Sequence, residues 1–568
     1  MGHADSGSSR SLPREQDPRL PATHVPGAFL PRTFPRWSNG AVAATVLFAY
    51  AVLRLLLVRA TRLNSDEPQH AHVAWAWAHG LVPYRDVFDN HVPLFHMLTA
   101  PLLRLFGETP DIMYWLRLSM VPLAVTALGL AYWIGQGLWN RRVAVWGVML
   151  AAVFPPYLYV AGEYRTDVLW GVAWLAVLAI AVLGRWSMRR ALALGLAIGV
   201  AWAVSLKTSL LVAGLATGWL IVHVSRPRGE RPPLRTVAAS LLWIALGACI
   251  VPAMVVGIVA MKGGLAAMRY DVLAHNIVPG LGGAYPLSRL PRMLGLLVFM
   301  VASLWPLRSA ANASLPARRA LVVASAAVYG LLLLGAWPLL SRQDNLPVIP
   351  LLTLGLAGWW DRIALPGSVR RWAPAALAFV ALGFVFGRHA PLQDRIADYR
   401  ATLADVLSIT TARDPVLDDK GASIFRQRPF YYALETITMM RMRLGSIPDD
   451  IPQRLVGTGT HVVWARRLPA PDRAFVDANY LPAVRGIRIA GHDFGQLGAG
   501  AASRMRLLLP GRYKVLGGDP SGVSLDDVAY AEPRELGAGE HTLSVTRAGH
   551  YLLVWEPAAR LFGGFATP

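Results

Sequence analysis

Apolar segments alternate with short polar loops from about residue 41 to residue 390. Most have roughly the length that a helix needs to cross a bilayer, although several are short for a full crossing. They fall at 41–58, 117–138, 143–160, 167–183, 190–206, 208–224, 237–260, 293–306, 319–340, 346–360 and 373–388. The pattern predicts a polytopic α-helical membrane protein with about eleven transmembrane helices.

Basic loops give these helices an orientation. With the N-terminus in the cytoplasm, arginine-rich loops fall on the cytoplasmic side at 141–142, 185–190, 226–235, 308–319 and 362–371, as the positive-inside rule requires. Residues 92–107 are apolar too, but prolines and Arg104 interrupt them, and counting them as a span would reverse every later loop. We therefore predict an interfacial helix there, inside a first extracytoplasmic loop at 59–116.

The pattern changes beyond the last apolar segment. Residues 391–412 predict an amphipathic linker helix. Residues 413–568 contain short alternating runs between Gly, Pro and Asp turns, such as HVVWARRL, SRMRLLL, RYKVLGG, HTLSVTR and HYLLVWE. Such runs predict strands, so we expect a soluble β-rich or α+β domain. Because the number of spans is odd, this domain lies outside the cytoplasm, after a transmembrane domain at 37–390.

Composition agrees with a membrane protein and excludes other classes. The chain is 54% hydrophobic and 16% charged, and its net charge of +21 comes mostly from arginine. No basic, aromatic-interleaved patch indicates binding to nucleic acid, and a single cysteine, Cys249, excludes an intrachain disulfide. Residues 1–36 are polar and lack the apolar core of a signal peptide. We predict a disordered cytoplasmic tail on a protein of the inner (plasma) membrane.

The most informative polar stretch follows the first apolar segment. It reads NSDEPQHAHVAWAWAHG, with Asp66 and Glu67 side by side. Pro68 favours the first turn of a helix, which places both carboxylates at a helix N-terminus, where negative charge is stabilised. The two tryptophans suit a helix in the membrane–water interface. A helix cap followed by an ordinary amphipathic loop would give the same pattern.

Other ionisable residues at span ends gather on the same predicted outer side. They are Tyr84, Arg85, Asp86, Asp89, Asn90, His91, Glu163, Arg165, Asp167, Lys207, the segment Tyr270 to His275, and the segment Arg342 to Asn345. Charged groups at such depths tend to be functional. The simpler interpretations are an ion-paired helix cap in the turn GEYRTD, a Lys207 side chain that extends to the membrane surface, and an ordinary loop at Arg342.

The order of these motifs resembles that of the polyprenyl-phosphate-dependent GT-C glycosyltransferases. It consists of the acidic pair after the first span, then YRD…DNHVPLFH, then an outer Arg-x-Asp turn and an outer lysine. The superfamily includes protein O-mannosyltransferases, the lipid A aminoarabinose transferase and rhizobial lipopolysaccharide galacturonosyltransferases, of the family 39 and family 83 types. The resemblance covers roughly residues 41–390. HVPLFH departs by one residue from the commoner His-Pro-Pro-Leu.

This resemblance implies a membrane enzyme that transfers a sugar, with inversion, from a polyprenyl-phosphate carrier. The acceptor would be a hydroxyl of an extracytoplasmic lipid, glycan or protein. By position in the motif, Asp66 would be the general base and Glu67 its neighbour. Three cations would bind the donor phosphate: Arg165, Lys207 and Arg342. Supporting roles would fall to Tyr84, Arg85, Asp86, His91, Glu163 and Asp167.

The chemistry needs these residue types. A carboxylate can take the proton of an acceptor hydroxyl, and the planar fork of arginine binds phosphate oxygens. A divalent metal ion is a further candidate cofactor, with Glu67 and His275 as ligands, because carboxylate and imidazole suit Zn²⁺ or Mn²⁺. If no metal binds, we expect His275 and the histidines near Glu67 to form hydrogen bonds at the membrane–water interface.

Two functions outside glycosyl transfer remain open from the sequence. A transporter or lipid flippase would carry charges near mid-span, of which Arg54 is one. An inert membrane part could also present the C-terminal domain outside the cell.

Overall fold

The computed structural model describes residue 2 and residues 39–226, 229, 231–278, 287–305, 314–363, 366–388, 393–518 and 520–565. The predicted tail at 1–36, apart from Gly2, and parts of three basic loops lie outside the described residues. Up to residue 388 the regular elements of the described chain are helices. They are α1 Asn39–Ala60, α2 Asp66–Ala78, α3 Leu94–Phe106, α4 Ile112–Leu138, α5 Arg141–Val153, α6 Pro155–Val160, α7 Thr166–Val182, α8 Met188–Val204, α9 Thr208–Ser225, α10 Leu234–Met261, α11 Leu265–Arg269, α12 Leu290–Leu304, α13 Ser314–Ala336, α14 Ile349–Trp360 and α15 Gly367–Arg388, with a π turn at Tyr270–Ala274 and 3-10 turns at Leu287–Arg289 and Arg342–Asn345.

Every predicted apolar segment coincides with a helix. Among the described residues, 6 helices are long and apolar enough to cross a membrane, and they correspond to α1, α4, α9, α10, α12 and α13. The remaining predicted segments coincide with the shorter α5 and α6, α7, α8 and α14, and with α15. The interrupted segment at 92–107 forms α3, a helix of 13 residues with Pro101 inside it. The predicted polytopic helical architecture is confirmed.

Small residues allow two helices of the bundle to approach closely. A Cβ at Gly195 of α8 would lie 2.1 Å from the carbonyl oxygen of Ile244 in α10. A Cβ at Gly247 of α10 would lie 2.4 Å from the carbonyl oxygen of Leu192 in α8. Larger side chains would push the backbones apart, so glycine sets this packing distance, as is common between membrane helices.

The described residues beyond 393 form an α+β region. Its helices are α16 Ala397–Ile409, α17 Thr436–Arg443, α18 Ile451–Gly457 and α19 Ala470–Asn479, and its strands are β1 Val416–Asp418, β2 Val462–Trp464, β3 Tyr480–Pro482, β4 Arg488–Leu497, β5 Ala502–Leu507, β6 Gly511–Leu516, β7 Val523–Leu525, β8 Val528–Ala529, β9 Arg534–Leu536, β10 Gly539–Val545 and β11 Gly549–Trp555. One sheet of 7 strands runs β1-β2-β4-β11-β6-β9 with β3 paired to β4, and a sheet of 4 strands runs β5-β10-β7-β8. Only the β1–β2 pair is parallel among the described strand pairs. Each of the five alternating runs named above contains a strand, as predicted.

The acidic helix α2 is covered by this C-terminal region. All of its residues except Asp66 and Trp77 are buried. His72 Nδ1 lies 2.7 Å from the carbonyl oxygen of Ile424, in a loop that follows β1. The ring of Trp75 stacks on His72 with 5.4 Å between centroids. The sequence did not indicate this cover, because the loop lies 352 residues further along the chain.

Candidate active site

A buried ion pair fixes the acidic helix to the bundle. Arg117 of α4 approaches the Glu67 carboxylate with two nitrogens, Nη2 at 2.6 Å from Oε1 and Nε at 2.7 Å from Oε2. Arg117 Nη1 also donates to the carbonyl oxygens of Val58 and Thr61 at 2.9 and 3.0 Å. Both charged side chains are buried, and burial of charge requires such pairing and hydrogen bonding. The pair joins the end of α1, the start of α2 and α4.

The turn between α6 and α7 packs on the same carboxylate. The backbone N–H of Tyr164 donates to Glu67 Oε2 at 3.0 Å. Asn64 Nδ2 donates to Glu163 Oε2 at 3.0 Å. These bonds hold the turn GEYRTD against the start of α2.

Arg54, the mid-span charge of α1, supports this turn. Its side chain is buried, and Nη1 donates to the carbonyl oxygen of Leu158 at 2.5 Å. A Cβ at Gly162 would lie 0.9 Å from Nη2 of Arg54, so a larger residue there would displace the guanidinium from this position. The contact gives the mid-span arginine a structural role beneath the turn.

Two cations converge on the Asp66 carboxylate. Arg165 Nη1 lies 2.7 Å from Oδ2, and Lys420 Nζ, from the C-terminal region, donates to Oδ1. Arg165 is placed by Asp167 of α7, 3.1 Å from its Nε, and by Glu163, 3.6 Å from its Nη1. The Asp66 side chain is 26% exposed, whereas those of Arg165 and Lys420 are 5% and 9% exposed. The site is an accessible carboxylate between two nearly buried cations.

These surroundings set the charge of two acids. Burial alone would raise the pKa of the Asp66 carboxyl, but the positive charges of Arg165 and Lys420 outweigh burial and hold this pKa well below its usual range. Burial and the negative charge of Glu67 raise the pKa of Glu163 to about 7, against the opposing effect of Arg165. Asp66 is therefore ionised at neutral pH, whereas Glu163 changes its protonation state near neutral pH.

Three histidines and Asp89 lie in contact with one another beside α2. The Asp89 carboxylate lies 3.0 Å from His91 Nδ1 and 3.2 Å from His96 Nδ1. His96 Nε2 lies 2.9 Å from His70 Nδ1, one helical turn after Asp66. The rings of His70 and His91 are 4.6 Å apart. The structure thus brings His91 next to the acidic helix.

The turn that carries Tyr84, Arg85 and Asp86 shapes the loop around His91. Tyr84 has a φ of 74°, and its hydroxyl donates to the carbonyl oxygen of His91 at 2.7 Å. Arg85 Nε pairs with Asp86 Oδ1 at 2.8 Å. In the part of the chain that the structure describes, these three side chains contact neither the Asp66 carboxylate nor its two cations.

Lys207 and Arg342 have other surroundings. Lys207 Nζ lies 2.5 Å from Asp344 Oδ1. Asp344 also caps its own 3-10 turn, because its Oδ2 accepts from the backbone N–H and hydroxyl of Ser341 at 2.8 and 2.7 Å. The Arg342 side chain is exposed, and within the described ranges no ion pair includes it. Neither cation contacts Asp66, so Arg165 alone of the three predicted phosphate ligands does.

The predicted metal ligands Glu67 and His275 do not share a site, which corrects that expectation. Both Glu67 oxygens accept hydrogen bonds from Arg117 and from backbone amides. His275 Nε2 instead lies 3.6 Å from Glu435 Oε1, and its ring stacks on Tyr432 with 5.9 Å between centroids. Among the described residues, no group of three or more His, Cys, Asp or Glu side chains is arranged to hold a metal ion.

The C-terminal region adds groups that the sequence did not indicate. Lys420 is one of them, and Glu435 and Tyr431 are two more. Glu435 accepts a hydrogen bond from Asn90 Nδ2 at 2.8 Å. The Tyr431 hydroxyl donates to Asp271 Oδ2 at 2.5 Å. Burial raises the pKa of Asp271 to about 7, against the hydrogen bond from Tyr431. Residues 345 positions apart, such as Asn90 and Glu435, have no spacing that a motif search could use.

A mainly apolar cavity of about 870 Å³ lies between the loop before α3 and the helices α8 to α11. Its lining includes Val92, Pro93 and Leu206. The other lining residues are mainly aliphatic, and Arg269 is the charged residue among them. The cavity therefore suits an apolar chain better than a charged molecule.

The fold of this chain is similar to that of a protein of known structure, ArnT. The crystal structure of ArnT from Cupriavidus metallidurans in the apo state matches with a TM-score of 0.57 at 15% identity, over 80% of this chain and 98% of that chain. ArnT bound to undecaprenyl phosphate matches with a TM-score of 0.55 at 16% identity, over 80% and 97%. No family model and no curated protein matches the sequence. The likeness confirms the resemblance at the level of architecture alone: the chain has the fold that is seen in ArnT.

Proposed function

We propose that this protein is a membrane glycosyltransferase that moves a sugar, with inversion, from a polyprenyl-phosphate carrier to a hydroxyl of an acceptor. The observation that carries the proposal is the accessible Asp66 carboxylate between Arg165 and Lys420 at the start of α2. We further propose that the protein lies in the inner membrane with its N-terminus in the cytoplasm. In that orientation α2 and the C-terminal region face the other side, where the acceptor is a lipid, glycan or protein.

Asp66 is the general base of the proposed reaction. It is ionised at neutral pH and 26% exposed, so an acceptor hydroxyl can reach it. As the acceptor oxygen bonds to the anomeric carbon, the hydroxyl proton passes to the carboxylate. The bond between the anomeric carbon and the phosphate oxygen breaks, and its electron pair leaves with the polyprenyl phosphate.

Arg165 is the principal ligand of the departing phosphate in this scheme. Asp167 engages its Nε, which orients the guanidinium plane. Its Nη1 is close to Asp66 but makes no aligned hydrogen bond with any described group. A planar guanidinium with a free donor can bind a phosphate oxygen and stabilise the charge that develops there. Lys207 and Arg342 would act further from the reacting atoms.

The apolar cavity lined by Val92, Pro93 and Leu206 would hold the isoprenoid part of the donor. Its mainly aliphatic lining matches a hydrocarbon chain. The ArnT structure bound to undecaprenyl phosphate supports a carrier of this class.

Arg165→Lys is expected to raise the KM for the donor by roughly ten- to a hundredfold, because lysine keeps the charge and loses the fork that binds two oxygens. Initial rates over a range of donor concentrations measure this change. Arg400→Lys is the matched control, since Arg400 pairs with Asp111 at 3.1 Å away from the site. An unchanged KM in Arg165→Lys would contradict the assignment.

Donor affinity is expected to rise as the pH falls through about 7, where Glu163 becomes protonated. The ionised carboxylate competes with the donor phosphate for Arg165, whereas the neutral acid does not. The expected change in KM between pH 8 and pH 6 is about two- to fivefold, the scale of interactions between partly exposed charges. Glu163→Gln should keep the low KM across this range. A variant that follows the wild-type pH profile would assign the titration to another group.

The function itself can be tested with membranes that contain the protein and a panel of labelled polyprenyl-phosphate sugars. Transfer of label to an endogenous acceptor is the expected result. If no donor supports transfer while the protein moves lipid phosphates between the leaflets of vesicles, the flippase alternative replaces the transferase.

A further inference from the structure

A tightly built loop follows β1 in the C-terminal region. The buried carboxylate of Asp418 accepts from the backbone N–H of Gly421 at 2.5 Å. It also accepts from the backbone N–H and the hydroxyl of Ser423 at 2.8 and 2.6 Å. One acid thus organises both sides of the loop, and Lys420 lies within it. Lys420 is therefore carried by an ordered loop of the C-terminal region.

This loop sits directly on helix α2. Gly421 has a φ of +79°, and a Cβ there would lie 2.7 Å from His72 Cβ and 3.3 Å from the carbonyl oxygen of Pro68. On the same side of the loop, His72 Nδ1 lies 2.7 Å from the carbonyl oxygen of Ile424. No side chain fits between loop and helix, so the C-terminal region places Lys420 at a set distance from Asp66.

Among the residues that the structure describes, the Lys420 ammonium pairs with two acids. Its Nζ donates to Asp66 Oδ1 and lies 3.9 Å from Glu435 Oε2. Its side chain is only 9% exposed. Arg165 holds the other oxygen of Asp66 through a short contact that lacks hydrogen-bond alignment. Each oxygen of the carboxylate therefore faces one cation, and both cations have capacity for a stronger anion.

We infer that Lys420 is a second ligand of the donor phosphate, and that the phosphate and Asp66 compete for Lys420 and Arg165. This inference rests on the proposed function. Without donor, the two cations neutralise Asp66 and make it a weak proton acceptor. When the phosphate takes the cations, the carboxylate is released and can accept the proton of the acceptor hydroxyl. The leaving phosphate keeps the electron pair of the broken glycosidic bond and remains bound to both cations.

The competition predicts an unusual result for a variant of the base. Asp66→Asn is expected to bind undecaprenyl phosphate about tenfold or more tightly than the wild type, the scale of one charge-assisted hydrogen bond. The gain should disappear in the double variant Asp66→Asn/Lys420→Met. Binding is measured on the full chain in detergent with undecaprenyl phosphate alone, so the result does not depend on turnover. Equal or weaker binding by Asp66→Asn would overturn the inference. Tighter binding would support it, because damage to the fold cannot strengthen binding.

Lys420 variants test the ligand directly. Lys420→Met should weaken undecaprenyl phosphate binding and raise the donor KM by roughly ten- to a hundredfold, and Lys420→Arg should restore most of the affinity. Gly421→Ala, which keeps the charge and displaces the loop, should also weaken binding. Lys514→Met, at an exposed position of β6, should match the wild type. Unchanged binding in Lys420→Met, or equal losses in the Met and Arg variants with a lowered unfolding midpoint, would reduce Lys420 to a structural role.

The two hypotheses fail in different ways. A wild-type protein that transfers no sugar from any donor refutes the proposed function, whereas phosphate binding that is insensitive to Lys420 refutes the inference alone.

Discussion

Asp66→Asn is expected to reduce sugar transfer by on the order of a hundred- to ten-thousand-fold. Asparagine has nearly the same shape, so it can remain between Arg165 and Lys420. Its amide cannot accept the proton of the acceptor hydroxyl. The loss should therefore fall on kcat, while the lipid phosphate still binds, more tightly than to the wild type if it competes with Asp66 for the two cations.

This prediction is measured by label transfer from polyprenyl-phosphate sugars at saturating donor. Asp111→Asn is a matched control, because Asp111 lies in the same predicted loop and also pairs with an arginine, Arg400, at 3.1 Å. Transfer by Asp66→Asn at the rate of the wild type would remove the proposed base.

Arg117→Met is expected to destabilise the protein by about 3–5 kcal/mol, the range found when one member of a buried ion pair is removed. Glu67 would remain buried and negatively charged, with only the backbone amides of Asn64 and Tyr164 as donors. The start of α2 would lose its attachment to α4, so activity should fall together with stability.

Denaturant unfolding in detergent measures this change. The double variant Glu67→Gln/Arg117→Met should recover part of the loss, because no charge is then left buried without a partner. Arg400→Met, which breaks a partly exposed pair, should cost no more than about 1 kcal/mol. If Arg117→Met unfolds at the wild-type midpoint, the buried pair does not anchor the site.

The fold could be predicted because hydrocarbon thickness fixes the length of apolar segments. All predicted segments coincide with helices, and the segment interrupted by Pro101 and Arg104 forms the separate helix α3. The strands after residue 413 could be predicted for a different reason, because side chains along a strand alternate between two faces. The two-sheet order was beyond reach, since register between distant strands leaves no local pattern.

The site could be predicted only where its residues lie in neighbouring elements. Asp66 and the turn with Glu163, Arg165 and Asp167 come together as the sequence analysis expected. Arg117 was overlooked because it begins an apolar span, where a single charge resembles an ordinary helix end.

Long-range contacts explain the remaining differences. Lys420 reaches Asp66 across 354 positions, and no composition or spacing marks it. Lys207 was grouped with Asp66, but it pairs with Asp344. The sequence predicts Glu67 as a catalytic neighbour of Asp66, whereas its ion pair with Arg117 attaches α2 to α4.

The contact between Asp66 and Lys420 also bears on how the molecule is made. The helices up to residue 388 are synthesised before residue 420, and chains fold from the N-terminus during synthesis. We expect a nascent chain to hold an incomplete set of cations until its last third has been made and folded. On the proposal above, an interrupted translation product would bind the carrier lipid more weakly than the complete protein does.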